Sequence, residues 1–162
     1  MIDSNRINEY FSFVIVDDDE SKIEVNSWLL DDFGINYSVI TGGDYYHKLM
    51  LAVRGIHLEG KFPVIFLDEN FESSARVDGT NIAVNLIDGF KRQGGILIPF
   101  SALPENQLNS WNREIKDSGP WMVVNDTRIP YEFFTTGYIE EVCERFSNTH
   151  ANGESNSEIK LS

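Results

Sequence analysis

Cysteine is almost missing from this chain. Cys143 stands alone among 162 residues, so no internal disulfide can form, and a reducing, cytoplasmic setting is the expectation. No apolar run approaches the roughly 18 residues a membrane-crossing helix needs. The first residues, Met1-Ile2-Asp3-Ser4-Asn5-Arg6, hold no apolar core behind a basic patch and do not read as a secretory signal. Positive charge is scarce too: Lys and Arg number 13 against 26 Asp and Glu, a net charge of −13. Such a field repels nucleic acid and anionic lipid, and a cation or a protein surface is the better-matched partner. Against these shortages stand 41% hydrophobic and 12% aromatic residues. That is too apolar for a wholly disordered chain and enough for one packed domain.

Two apolar runs end in acids. Phe13-Val14-Ile15-Val16 stops at Asp17-Asp18-Asp19-Glu20, and Val64-Ile65-Phe66-Leu67 stops at Asp68-Glu69. A third, Ile96 to Phe100, ends at Ser101-Ala102, and a fourth, Trp121 to Val124, at Asn125-Asp126. Short, continuously apolar, β-rich runs are what strands buried on both faces look like, as in a parallel sheet. Ile35 to Ile40 is a weaker fifth strand. Pro99 inside the third run removes a ladder donor and points to an edge or a displaced register.

The stretches between these runs carry helical stripes. Val25, Trp28, Leu29 and Phe33 form one, with Gly34 as its stop; Tyr45, Leu49, Ala52, Val53 and Ile56 form the next. Ile82, Ala83, Leu86 and Phe90 form a third, Leu108, Trp111 and Ile115 a more polar fourth, and Phe134, Tyr138, Val142 and Phe146 the last. Strands alternating with helices predict an α/β sandwich around a parallel sheet. Residues 1–10 read as an N-terminal extension, 11–146 as the domain, and 147–162, rich in Ser, Asn and Glu, as a flexible C-terminal tail.

In open α/β sheets function gathers outside the carboxyl ends of the strands. That rule brings Asp17, Asp18, Asp68 and Ser101 to one edge. Two like charges about 4 Å apart cost roughly 4 kcal/mol at an effective dielectric near 20, so such a cluster takes up protons or a cation. Carboxylate oxygens with a main-chain carbonyl and water suit Mg2+. Other readings stand beside this one: an acidic helix start favours the helix dipole, and a serine at Ser101 is a common cap or turn former. His47, His57 and His150 lack metal-ligand spacing and read as surface or packing residues. Cys143 lies in the stripe of the last helix and reads as a small core residue.

At this point the sequence resembles the response-regulator receiver domain of two-component signalling. The resemblance spans about Phe11 to Phe146. It rests on Phe13 to Asp18 as first strand and acidic pair, Val64 to Asp68 as third strand and phosphoacceptor, Asp78-Gly79 opening the third helix, and Ser101-Ala102 ending the fourth strand. It implies the flavodoxin-like (CheY-like) fold, a five-stranded parallel sheet in order 2-1-3-4-5 with helices on both faces. It also implies that Asp68 accepts a phosphoryl group. Asp18, Asp68 and the main-chain carbonyl of Asn70 would hold Mg2+, with Asp17 acting through bound water, and Ser101 would donate to a phosphoryl oxygen. The implied phosphodonor is a histidine kinase or histidine phosphotransfer protein. The output would run through a downstream protein target, with no turnover beyond the domain's own phosphorylation and dephosphorylation.

Two features depart from the family pattern. Asn125 stands where the family has a lysine after the fifth strand, and the stretch from Glu69 to Asp78 is longer than usual and lacks a proline after Asn70. Arg128 and Arg76 are the residues that could substitute for the missing cation. The departure at Asn125 motivates a rival reading, a degenerate receiver that binds a protein without being phosphorylated. A Mg2+-dependent phosphohydrolase would need an acid two residues after Asp68, where Asn70 stands.

Overall fold

The structure is a computed structural model, and it describes residues 4–68, 79–90, 92–99, 121–124, 138–151 and 158–159. In chain order these form α1 (Ser4–Tyr10), β1 (Phe11–Val16), α2 (Glu20–Asp32), β2 (Tyr37–Ile40), α3 (Tyr45–Leu58) and β3 (Phe62–Leu67). Then follow α4 (Gly79–Gly89), β4 (Gly95–Pro99), β5 (Trp121–Val124), α5 (Tyr138–Ala151) and β6 (Glu158–Ile159). The strands make one parallel sheet in the order β2-β1-β3-β4-β5-β6. Its first five strands have the 2-1-3-4-5 order expected from the sequence. The helix predicted around Leu108, Trp111 and Ile115, and Phe134 of the last stripe, lie outside the described residues.

Side chains alternate across a strand, so one unbroken apolar run supplies two cores. Phe11, Phe13 and Ile15 join Ile7, Leu29, Leu30, Val142 and Phe146 on one face of the sheet. Val14 and Val16 join Leu49, Val53, Leu86 and Trp121 on the other. Pro99 is the last residue of β4, opposite Leu67 of β3; β4 is an inner strand, so the proline stands at a strand end and not at an edge of the sheet as its missing donor suggested. A Cβ on Gly95 would meet the Trp121 ring at 2.6 Å and Pro63 Cγ at 2.8 Å. Only glycine fits where β4 passes between them.

Helix α2 is built from its ends inward. Asp19 caps it, its Oδ1 accepting from the Ser21 N–H at 2.9 Å and the Lys22 N–H at 3.4 Å. At the other end Gly34, at φ 70°, is left-handed. Its N–H donates to Asp31 O and the Ile35 N–H to Leu30 O, both at 3.0 Å, which closes the last carbonyls in a Schellman turn. The buried face differs from the predicted stripe. Val25 and Trp28 are 53% and 62% exposed, whereas Asn26, Leu29 and Leu30 are buried. Apolar residues lie nearly all round this helix, so period alone does not choose a face. The sheet selects the one carrying Leu30, with Ile23 and Phe33 packed at its margins.

Regular structure occurs on both sides of the 11–146 span. Residues 1–10 contribute α1, whose Ile7 is fully buried. The Asn8 side chain fastens it: Nδ2 donates to Gly34 O and Oδ1 accepts from the Asn36 N–H, each at 2.8 Å. At the other end α5 runs to Ala151, five residues past Phe146, and Glu158–Ile159 pair with Val123 and Val124. Polar side chains on a helix end and an edge strand leave no apolar pattern to read. Among the described residues no helix is long and apolar enough to cross a membrane.

Candidate functional site

The parallel register sets two acids side by side. Val16 of β1 lies opposite both Ile40 of β2 and Leu67 of β3. Each strand then runs one bond further: the Asp17 N–H donates to Ile40 O at 3.2 Å, and the Asp68 N–H donates to Val16 O at 3.1 Å. Asp18 follows in the short turn into α2. The carboxylates of Asp17, Asp18 and Asp68 come together with one ligand oxygen from each lying within 4.8 Å of the others. Among the described residues this is the one cluster of three or more His, Cys, Asp or Glu side chains that could hold a metal.

Burial makes the cluster costly. Asp17 and Asp68 are 2% and 3% exposed, and Asp18 is half-buried. Burial pushes the Asp17 carboxyl up from 3.8 to about 6, helped by the negative charges of Asp68 and Asp18. The Asp19 N–H, which donates to Asp17 Oδ1 at 2.9 Å, and the more distant Lys22 ammonium pull the other way without cancelling it. At about 4.8 Å and an effective dielectric near 20, one unit-charge pair repels by roughly 3–4 kcal/mol. A divalent cation removes that penalty for all three groups at once. Three carboxylates of this kind suit a hard, oxygen-seeking ion.

Of the acidic quartet Asp17 to Glu20, Asp19 caps α2, and Asp17 and Asp18 lie beside Asp68. Ser101, Asn70, Asn125, Arg76 and Arg128 lie outside the described residues. His57 is a packing residue, as expected. Its Nε2 is 2.7 Å from Gly94 O, and its ring lies 5.4 Å from Phe90 and 6.3 Å from Trp121. His47 is exposed on α3. Cys143 is 1% exposed, and burial drives its thiol far above the usual range.

Response-regulator receivers are among the solved structures that share this architecture. A two-component response regulator from Cytophaga hutchinsonii superposes with a TM-score of 0.54 at 16% identity, over 86% of this chain and 98% of that one. The fold here is that of a receiver domain. The CheY-like receiver protein from Methanospirillum hungatei gives a TM-score of 0.50 at 15% identity, over 87% of this chain and 98% of that one. The BeF3-activated DrrB receiver domain gives 0.50 at 16%, over 86% and 98%. No protein-family model matches the sequence, and none of the curated proteins is similar to it. The receiver fold therefore comes from the three-dimensional comparison, and the acidic cluster sits at the carboxyl edge of its sheet.

Proposed function

We propose that this chain is a receiver that accepts a phosphoryl group on Asp68. One observation carries the reading: Asp17, Asp18 and Asp68 meet at the carboxyl edge of a receiver-type sheet, with their ligand oxygens within 4.8 Å. Asp68 is the nucleophile. One of its carboxylate oxygens bonds to phosphorus while the bond from phosphorus to a histidine nitrogen of the donor breaks, leaving an acyl phosphate. The donor is a histidine kinase or histidine phosphotransfer protein. Asp17 and Asp18 would hold Mg2+ together with Asp68, and Asn70 would add its main-chain carbonyl. The metal, when bound, offsets the negative charge that gathers as a carboxylate meets a phosphoryl group. Ser101 would donate its hydroxyl to a phosphoryl oxygen, and Arg128 or Arg76 would stand in for the lysine that Asn125 replaces. The signal leaves through contacts with a downstream protein, and the setting is cytoplasmic.

The BeF3-activated DrrB receiver domain shares the fold of this chain, which motivates a test with a small phosphodonor. The test is incubation with phosphoramidate and Mg2+, followed by intact-protein mass spectrometry. The expected result is a gain of one phosphoryl group that EDTA prevents and Asp68→Asn abolishes. Asn125, which follows β5 directly in sequence, favours the second reading, a receiver that binds its partner without phosphorylation. No mass gain at any donor concentration decides for that second reading.

A further inference from the structure

Two exposed helix faces on opposite layers of the sheet are unlike each other in charge and alike in carrying large apolar side chains. On α2, Val25 and Trp28 stand out at 53% and 62% exposure. Glu20, Glu24, Asp31 and Asp32 surround them, with Lys22 as the helix's one basic residue, and all five are exposed. On α3, Leu51 and Leu58 are 57% and 82% exposed. Spaced seven apart, they share a stripe with His47 and Arg54, because residues three, four and seven apart fall on one side of a helix. That stripe lies opposite the buried Tyr45, Leu49, Val53 and Ile56. Within the helix no acid occurs from Tyr45 to Leu58, and the exposed Asp44 and Glu59 stand at its two caps.

We infer that the acidic, tryptophan-bearing face of α2 docks on the acid-free stripe of α3 that carries Arg54, Leu51 and Leu58, in a second copy of this chain. Charge complementarity argues for that occupant, since both halves of the match are present on one molecule. Trp28 is the anchor, of the residue type that most often dominates contact energy. Leu29 and Leu30 of α2 pack on one side of the sheet and the α3 side chains on the other, so one copy's two faces point to different neighbours. The contact is head-to-tail and builds assemblies larger than a dimer, rings where its rotation closes and open chains where it does not. Copies of net charge −13 repel at long range, but at physiological salt the screening length is about 8 Å and contact pairs survive it. Such an interface is small, under about 1,200 Å² in total, so association is weak and concentration-dependent.

Sedimentation velocity from micromolar to near-millimolar protein tests this at physiological ionic strength. The full chain should grow in mean mass with concentration. Trp28→Ala and Leu51→Gln, each at an exposed position and checked for folding by circular dichroism, should each stay monomeric, and Arg54→Glu should weaken association. Mixed together, the Trp28→Ala and Leu51→Gln proteins should form dimers and nothing larger, because each keeps the face the other has lost. A parent that stays monomeric overturns the inference, as does a mixture that stays monomeric. Either single variant that still self-associates does the same, since it reveals α2 on α2 or α3 on α3. None of the three substitutions touches Asp17, Asp18 or Asp68, so phosphorylation of Asp68 can fail or succeed independently.

Discussion

Replacing Asp17 with asparagine should make the metal-free protein more stable at pH 8 and leave it unchanged below pH 4. The folded carboxyl titrates at about 6, above its ordinary 3.8, so the native state holds this proton more tightly than the unfolded chain does. Stability from this group is therefore full below 3.8 and is lost as pH rises through about 6. At about 1.4 kcal/mol per pH unit, that gap amounts to about 3 kcal/mol as an upper bound. Asparagine keeps an oxygen for the Asp19 N–H and carries no charge, so the variant should recover about 1–3 kcal/mol at pH 8. Urea unfolding in EDTA at a series of pH values measures it through the midpoint, provided the slope stays constant. Saturating Mg2+ should reverse the order. A ligand at a hundred times its dissociation constant adds about 2.7 kcal/mol to the protein that binds it, and the variant has lost part of the site. A variant no more stable than its parent at pH 8 in EDTA, or one whose advantage is the same at pH 4 and pH 8, refutes the reasoning.

Gly95→Ala should cost about 1–3 kcal/mol, since its Cβ would sit 2.6 Å from the Trp121 ring with Pro63 on the other side; thermal unfolding reads the loss, and an unchanged midpoint contradicts the packing described. Ile7→Ala should cost about 2–5 kcal/mol, a loss expected of a core residue and not of one in a loose extension. Cys143 should resist alkylation in the native protein and react only as fast as the chain opens, because it is buried and its thiol is pushed far up. Rapid native labelling would show that the face of α5 carrying Cys143 is not held against the sheet.

The sheet was legible because its strands are buried on both faces, and a run such as Val64 to Leu67 states that directly. Asp17 and Asp68 were legible for a related reason: each is the first acid after such a run, and the parallel register of β1 with β3 turns that position into proximity. The face of α2 was not legible, because Val25 and Trp28 are as apolar as Leu29 and Leu30 and only the sheet distinguishes them. Helix α1 escaped because its hold depends on Asn8 reaching Gly34 and Asn36, more than two dozen residues away. A local pattern carries no trace of such a bond. The polar end of α5 and the edge strand β6 were hidden for the same reason.

The ring of Phe146 lies 5.8 Å from Phe11 and 4.9 Å from Phe62, while Ile7 belongs to the same buried group. One half of the interior is thus roofed by residues far apart in sequence, Ile7 and Phe146. A growing chain on the ribosome can assemble β1, β2 and β3 with α2 and α3 early, yet the part of the α2 side where Phe146 meets Phe11 and Phe62 stays open until residue 146 has emerged. Long-range closure of this kind slows folding and leaves apolar strands open to other molecules in the interval. The seam between first and last helix is where late arrival matters most.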